Sequence, residues 1–168
     1  LTGLPNRSQL VVFLEESIRD GEPYALLFVD LDNFSNINDS LGHKVGDAFL
    51  KYISARFEQA CDPKDFVCRF GGDEFIFVLR NTSTDAVSAF SSKLLCIAAE
   101  PVTIEGMTLA SSCSIGIAQS PEHGTTKNVL MKHADAALYK AKARGRNTFQ
   151  WYSEELQHAA DRRLLIYN

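Results

Sequence analysis

Phe66-Val67-Cys68-Arg69-Phe70-Gly71-Gly72-Asp73-Glu74-Phe75-Ile76-Phe77-Val78-Leu79 is the stretch that decides the fold class. Two runs rich in aromatic and β-branched residues stand either side of Gly71-Gly72-Asp73-Glu74, a pattern that predicts antiparallel strands joined by a tight turn. Glycine tolerates the positive φ angles of hairpin turns, so Gly71 and Gly72 are expected to supply them. A hairpin in mid-chain argues against a doubly wound parallel sheet and asks the flanking segments for helices to cover it.

Those flanks carry the required periods. Upstream, Tyr24 to Val29 is an almost unbroken apolar run of strand length that finishes at Asp30-Leu31-Asp32. Before it, Leu10, Phe13, Leu14 and Ile18 recur at helical spacing from Ser8 to Asp20, closed by Gly21 and Pro23. Helices are expected around Phe34 to Leu41 and from Val45 to Cys61, punctuated by Gly42 and Gly46, with Phe49, Leu50, Ile53 and Phe57 on one face of the second. Downstream, Thr82 to Glu100 reads as a helix with Ser83 or Thr84 as N-cap. Strands Pro101 to Ile104 and Leu109 to Ala118 follow around Glu105-Gly106. A helix opened by Thr125 or Thr126 runs to about Ala143, apolar at Leu130, Ala134, Ala137, Leu138 and Ala141, with Gly145 just past its end. Phe149 to Tyr152 is a last short strand, followed by a helical tail. The order α-β-α-α-β-β-α-β-β-α-β predicts an α+β fold: a mixed, largely antiparallel central sheet surrounded by helices, built on a ferredoxin-like β-α-β-β-α-β core.

A chain of 168 residues is long enough for one ordinary core, and 45% hydrophobic with 23% charged residues fits a globular protein. No apolar run approaches the ~20 residues of a membrane span, so direct membrane contact is not expected. A net charge of −4 argues against a nucleic-acid partner, which would need a basic face. Leu1-Thr2-Gly3-Leu4 begins without a signal-peptide pattern or an initiator Met, so a piece of a longer chain is expected. Cys61, Cys68, Cys96 and Cys113 form no C-x-x-C pair and the histidines show no H-x-x-x-H spacing. Four buried, reduced thiols in a cytoplasmic protein are expected instead.

Three groups of residues could carry chemistry. Asp30 and Asp32 end a buried strand, where a charge is costly unless paired, so either the strand emerges into solvent there or a divalent cation joins it. Asp73 and Glu74 lie where a turn without side chains meets an apolar strand, open to a bulky ligand. If the two strands pair, Asp30 and Asp73 converge on one site, and carboxylates with backbone carbonyls are what Mg²⁺ prefers. Lys142 and Arg146 sit at the end of the last long helix; a helix dipole favours cations there without any ligand, and they matter only if that end faces the carboxylates.

Taken together, the ordered blocks resemble the GGDEF domain of the diguanylate cyclase family. They are Leu1-Thr2-Gly3-Leu4-Pro5-Asn6-Arg7, Phe28-Val29-Asp30-Leu31-Asp32-Asn33-Phe34, Ile37-Asn38-Asp39-Ser40-Leu41-Gly42-His43, Gly46-Asp47, and Arg69-Phe70-Gly71-Gly72-Asp73-Glu74-Phe75. Ser114-Ile115-Gly116-Ile117-Ala118, Ala134-Asp135-Ala136-Ala137-Leu138-Tyr139-Lys140-Ala141-Lys142 and Gly145-Arg146-Asn147 complete the set. The resemblance implies a sheet similar to the palm of nucleotide cyclases and polymerases, and a reaction joining two GTP into cyclic di-GMP with loss of two pyrophosphates. It implies that Asp30, the Leu31 carbonyl and Asp73 bind Mg²⁺ or Mn²⁺, and that Asp73, with Glu74, favours deprotonation of the attacking 3′-hydroxyl. It further implies that Phe34, Asn38, His43 and Asp47 hold the nucleotide, Asp47 reading guanine, that Gly71 and Gly72 let it lie close, and that Lys142 and Arg146 clasp its outer phosphates. Each domain would hold one GTP, so catalysis would need a second GGDEF domain in a homodimer.

Two departures qualify this. Many members carry Lys after the Phe of the D-x-D-x-F block, where Ser35 stands here, so the phosphates lose a cation that a hydroxyl cannot replace. The family's product-inhibition motif, R-x-x-D, reads Asp62-Pro63-Lys64-Asp65, with the Arg lost. Residues 1–152 are expected to form the GGDEF domain and 153–168 a helical tail or linker, which resembles the connector into an EAL phosphodiesterase domain. Two functions follow from the resemblance: a metal-dependent cyclase, or a GTP-binding regulatory module controlling an attached EAL domain in a cytoplasmic protein that also carries a sensor.

Overall fold

The computed structural model describes residues 3–153; residues 1–2 and 154–168, with most of the expected tail, lie outside the described residues. Helix α1 (Arg7–Asp20) starts at Asn6, whose side chain accepts from the Gln9 N–H while the Gln9 side chain returns to the Asn6 N–H, a capping box. Gly21 ends it in the left-handed conformation, with φ 71°. The chain continues through β1 (Tyr24–Asp32), α2 (Phe34–Leu41), α3 (His43–Ala60), β2 (Phe66–Arg69), β3 (Glu74–Leu79) and α4 (Thr84–Ala99). It ends with β4 (Val102–Ile104), β5 (Met107–Leu109), β6 (Ser112–Ser120), α5 (Lys127–Ala143) and β7 (Phe149–Trp151). Ser83 and Thr126 are the N-caps of α4 and α5.

The five-stranded sheet has the order β2-β3-β1-β6-β7, antiparallel at every step except β6 to β7. Strands β1, β2, β3 and β6, with the helices between them, make the ferredoxin-like core. Strand β1 is central and buried along its whole length, so its period-2 alternation sends residues to two different layers. Ala25, Leu27, Val29 and Leu31 pack with Phe49, Ile53 and Phe57 of α3 and Val87 and Leu94 of α4. Tyr24, Leu26 and Phe28 pack with Leu10 and Leu14 of α1 and Leu130, Ala134 and Leu138 of α5. The same alternation puts Asp30 and Asp32 on the α5 side.

Gly116 lets α5 lie directly on β6, since a Cβ there would overlap the Ala134 carbonyl and the Leu138 N–H and come within 2.8 Å of the Leu138 Cα.

The expected strand Leu109 to Ala118 is two strands. Strand β5 pairs with β4 in a separate two-stranded ribbon, turned by Glu105 and Gly106 at positive φ. The chain then breaks at Ala110-Ser111, where the Ser111 N–H donates to the Ala98 carbonyl and its hydroxyl to the Asp32 carbonyl. The thiols also depart from expectation. All four are free, but Cys96 is exposed and Cys61 half-buried, while burial pushes Cys68 up to about 12.

Candidate active site

The C-terminal end of β1 collects the acidic residues. Asp30 pairs in register with Glu74 of β3, and the Leu31 N–H donates to the Asp73 carbonyl at 3.0 Å. In a strand a residue's C=O points to the same side as its N–H, so the Leu31 carbonyl also faces the Asp73 turn. Asp30, the Leu31 carbonyl and Asp73 are thus brought to one place. Asp30 is buried; its Oδ2 accepts from the Lys142 ammonium, and its Oδ1 is buried without a hydrogen-bond partner. A buried carboxylate oxygen with nothing to pair costs free energy, and a cation in contact with it removes that cost. Burial foremost, with the Asp73 and Asp32 charges, raises the Asp30 carboxyl above the usual range, against the lowering effect of Lys142. Burial also raises Glu74, helped by Asp30 and Asp73. Among the described residues no group of three or more His, Cys, Asp or Glu side chains stands ready to hold a metal. Two carboxylates, Asp30 with its unpartnered Oδ1 and Asp73, and a main-chain carbonyl are nevertheless oxygen donors of the kind that suits Mg²⁺ or Mn²⁺.

The turn itself is built differently from the expectation. Neither Gly71 nor Gly72 adopts a left-handed φ. The turn is held instead by Phe70 and Gly71 N–H groups donating to the Glu74 carbonyl at 2.8 and 3.3 Å. The Arg69 guanidinium donates to the Gly71 and Gly72 carbonyls, and Arg7 Nε donates to the Phe70 carbonyl at 2.7 Å with its guanidinium 3.9 Å above the Phe70 ring. At Gly71 a Cβ would overlap the Glu74 carboxylate, so a side chain there would displace that carboxylate from its place beside the turn. At Gly72 a Cβ would meet nothing within 4 Å, so this position is an open floor.

The residues expected to hold a nucleotide lie on the α2–α3 elbow that follows β1 directly. Asn33, at φ 60°, precedes α2 and makes no side-chain cap bond, which leaves first-turn N–H groups of α2 available to an anion. Ser35 is exposed on that turn. His43 and Asp47, both exposed, are four apart on α3 and share a face. Asn38 Oδ1 is buried without a hydrogen-bond partner and lies against Gly46, where a Cβ would overlap it. The Phe34 ring is only 7% exposed and belongs to the core, so its main chain alone is free to face a ligand.

The cations come from α5 and the loop after it. Lys142, in the last turn, reaches Asp30 rather than open solvent. Arg146 lies beyond the helix, which ends at Ala143, at φ 66°, with Nε 3.9 Å from Asp32 Oδ1. The helix end therefore faces the carboxylates, the condition on which these charges gain meaning.

The sequence profile described as "Diguanylate cyclase, GGDEF domain" matches residues 1–148. The chain belongs to this GGDEF family. Over 158 residues it is 37% identical to the cyclic di-GMP phosphodiesterase PdeR of Escherichia coli, covering 93% of this chain and 24% of that protein. It is 39% identical over 155 residues to the diguanylate cyclase DgcP of Pseudomonas aeruginosa, covering 89% of this chain and 23% of that protein. The chain thus spans about a quarter of the length of these curated relatives. The crystal structure of the GGDEF domain of YfiN (TpbB) from Pseudomonas aeruginosa superposes with a TM-score of 0.87 at 36% identity, covering 91% of this chain and 99% of that one. The family therefore includes proteins named for making cyclic di-GMP and proteins named for degrading it. No helix among the described residues of this GGDEF domain is long and apolar enough to cross a membrane.

Some working parts of the GGDEF domain were absent from the sequence reading. Arg7 and Arg69 brace the turn; a cation beside a glycine pair, as Arg69 is, is common on solvated surfaces, and Arg7, 63 residues from Phe70, carries no local signal. Ser112, Ser114 and the Asn147 N–H surround Asp32. Only the strand register, Asp32 opposite Ser112 and Asp30 opposite Ser114, brings those serines there.

Proposed function

We propose that this GGDEF domain is a diguanylate cyclase, condensing two GTP into cyclic di-GMP and two pyrophosphates with Mg²⁺ or Mn²⁺ in a homodimer. The observation that carries the reading is the unpartnered, buried Asp30 Oδ1 at a strand end shared with the Leu31 carbonyl and the Asp73–Glu74 turn. When bound, the metal neutralises phosphate charge and acidifies the attacking 3′-hydroxyl. Asp30, the Leu31 carbonyl and Asp73 would hold it. Asn38, His43 and Asp47 would hold the base, Asp47 accepting from guanine, with Gly71, Gly72 and the Phe34 main chain giving the triphosphate close approach. Lys142, now on Asp30, is within reach to exchange that carboxylate for a phosphate, and Arg146 neutralises the outer charge. Asp73, aided by Glu74, would favour loss of the 3′-hydroxyl proton as its oxygen attacks the α-phosphorus and pyrophosphate departs. In-line displacement of this kind depends on positioning and charge neutralisation, and these residue types supply both.

A second reading is favoured by Ser35: no cation follows Phe34, so the domain binds GTP slowly turned over or not at all and regulates an attached EAL phosphodiesterase. Both readings put the domain in a longer cytoplasmic protein with a sensor, residues 1–152 forming the GGDEF domain and 153–168 the tail or linker. Cyclic di-GMP would not be held at Asp62–Asp65, because the Asp65 carboxylate already accepts from the Arg80 N–H at 2.8 Å and Asp62 from the Lys64 N–H. Chromatographic detection of cyclic di-GMP from GTP and Mg²⁺, with the chain fused to a dimerising coiled coil, tests the proposal. Product formed by the parent and absent in Asp73→Ala supports the cyclase, whereas GTP binding with no product sinks it in favour of the regulator.

A further inference from the structure

Asp30 and Asp32 sit on the same face of β1, two residues apart, yet their surroundings differ. Asp30 has a carboxylate oxygen with no partner; Asp32 has none to spare. Its Oδ1 accepts from the Ser114 hydroxyl at 2.8 Å, and its Oδ2 accepts from the Ser112 hydroxyl at 2.5 Å and from the Asn147 N–H at 3.2 Å. The residue is 3% exposed, and the Arg146 guanidinium lies beside it, Nε 3.9 Å from Oδ1. A metal would have to strip away hydroxyl and amide donors that the chain itself supplies. The carboxylate is saturated by protein, as a structural bracket is, and not open, as a ligand is.

What it brackets is an unusual piece of backbone. Arg146 and Asn147 are consecutive non-glycine residues at positive φ, 66° and 51°. L-residues avoid that region, and a run of two persists only where surrounding contacts hold it. At one end the Arg146 N–H donates to the Ala141 carbonyl of α5 at 3.1 Å. At the other, the Asn147 N–H lands on Asp32. Further on, the Thr148 carbonyl accepts from the Ile115 N–H of β6 at 3.0 Å. The left-handed step is what turns the Arg146 side chain, half exposed, back over the strand end that also holds Asp30.

We propose that Asp32 is a positioning residue for triphosphate binding: it ties the strained Arg146–Asn147 step to the serine edge of β6 and so keeps the Arg146 guanidinium beside the carboxylate site. The role rests on the reading of this site as a nucleotide triphosphate site, and it assigns Asp32 no contact with metal or substrate. Asp32 is a charge-assisted acceptor whose loss is felt through a neighbour, and this gives it a signature different from that of a ligand.

The test uses the whole chain with three readouts: Asn147 amide hydrogen exchange by NMR without nucleotide, Mn²⁺ binding alone by electron paramagnetic resonance, and GTP binding with Ca²⁺ by calorimetry. In Asp32→Ala, Asn147 exchange is expected to speed by about tenfold or more, as befits the loss of a charge-assisted hydrogen bond. GTP affinity is expected to fall as far as in Arg146→Ala, and the double variant no further than Arg146→Ala alone, the non-additivity of residues acting through one another. Mn²⁺ affinity should stay within about threefold of the parent, because Asp32 bonds to the serines of β6 and to Asn147 and to none of the proposed metal ligands; a fall of about 10–100-fold, which losing even a hydrogen-bonding partner of a ligand produces, would place it in the metal site instead. Asp32→Asn keeps the volume and a hydrogen-bonding acceptor, so it folds if Asp32→Ala does not, and it should fall between parent and Asp32→Ala in both exchange and GTP affinity. Unchanged Asn147 exchange, additive losses with Arg146→Ala, or a collapse of Mn²⁺ binding would each overturn the proposal. A parent that binds no GTP, with Asn147 exchange still governed by Asp32, instead refutes the triphosphate reading on which the role depends.

Discussion

Gly116→Ala adds one carbon at the place where α5 rests on β6. That carbon would overlap the Ala134 carbonyl and the Leu138 N–H and stand 2.8 Å from the Leu138 Cα. Non-bonded carbons settle at about 3.5–4.0 Å, so the helix must retreat by roughly 1 Å. All three obstacles are main chain, and no side-chain rotation relieves them. Overpacking of this sort costs about 1–3 kcal/mol, and the rigid backbone puts this case near the upper end. For a chain of this size about 2 kcal/mol lowers the melting temperature by roughly 4–8 °C. The same retreat reaches the site, because Lys142 lies one helical turn, ~6 Å, beyond Leu138 on α5. Its ammonium, held on Asp30 in the parent, would be drawn back with the helix. A misplacement near 1 Å can cost up to about 10²-fold in rate. Differential scanning calorimetry and calorimetric GTP titration on the same sample check both effects. A variant that melts with the parent and binds GTP equally well would refute the packing argument and the link from α5 to the site.

Three further outcomes are expected. Gly72→Ala meets nothing within 4 Å and no left-handed φ, so it should melt with the parent while weakening GTP binding by about tenfold, which calorimetry reads; a matching loss of stability would contradict the open-floor reading. Glu74→Gln should raise the melting temperature of the metal-free protein at pH 7. Burial lifts the Glu74 carboxyl above its unfolded value, so its contribution is favourable below the usual glutamate range and is lost as pH rises through the lifted value; the gap between variant and parent should close as pH falls into that range, and a gap that widens on acidification would refute it. Ser35→Lys restores a cation on the exposed first turn of α2 and should raise cyclic di-GMP synthesis by at least ~10-fold, since such a charge contributes several kcal/mol to phosphoryl transfer; an unchanged rate in the dimerised protein would show that another step limits turnover.

The elements most visible beforehand were those whose signal is local. Ser83 and Thr126 cap helices whose apolar spacing is regular, and the Gly71–Gly72 break separates two strands of high β-propensity. The split between β5 and β6 was hidden because Met107 to Ala118 has no polar punctuation stronger than Ser111-Ser112, and the break is imposed by Ser111 bonding to Ala98 and Asp32, residues far away in the chain. The glycine turn was located correctly but misread in conformation: Arg69 and the Glu74 carbonyl hold it, not positive φ. In the site, Asp30, Asp73, Lys142 and Arg146 were legible as charged types in suggestive places. What pairing alone could show was that Lys142 rests on Asp30, that Asp32 is filled by serines, and that the Phe34 ring is core. The serines at Asp32 depend on register between strands distant in sequence, and Lys142 and Phe34 on how α5 and α2 pack against the sheet; neither is visible to spacing within any one element.

The central claim is that the end of β1 holds a divalent cation for a nucleotide. Anomalous scattering from crystals grown with Mn²⁺ and a non-hydrolysable GTP analogue tests it most directly. The expected result is a manganese peak within bonding distance of Asp30 Oδ1, the Leu31 carbonyl and Asp73, with Lys142 moved from Asp30 to a phosphate. Nucleotide density with no peak at Asp30, and Lys142 still on its carboxylate, would contradict the claim.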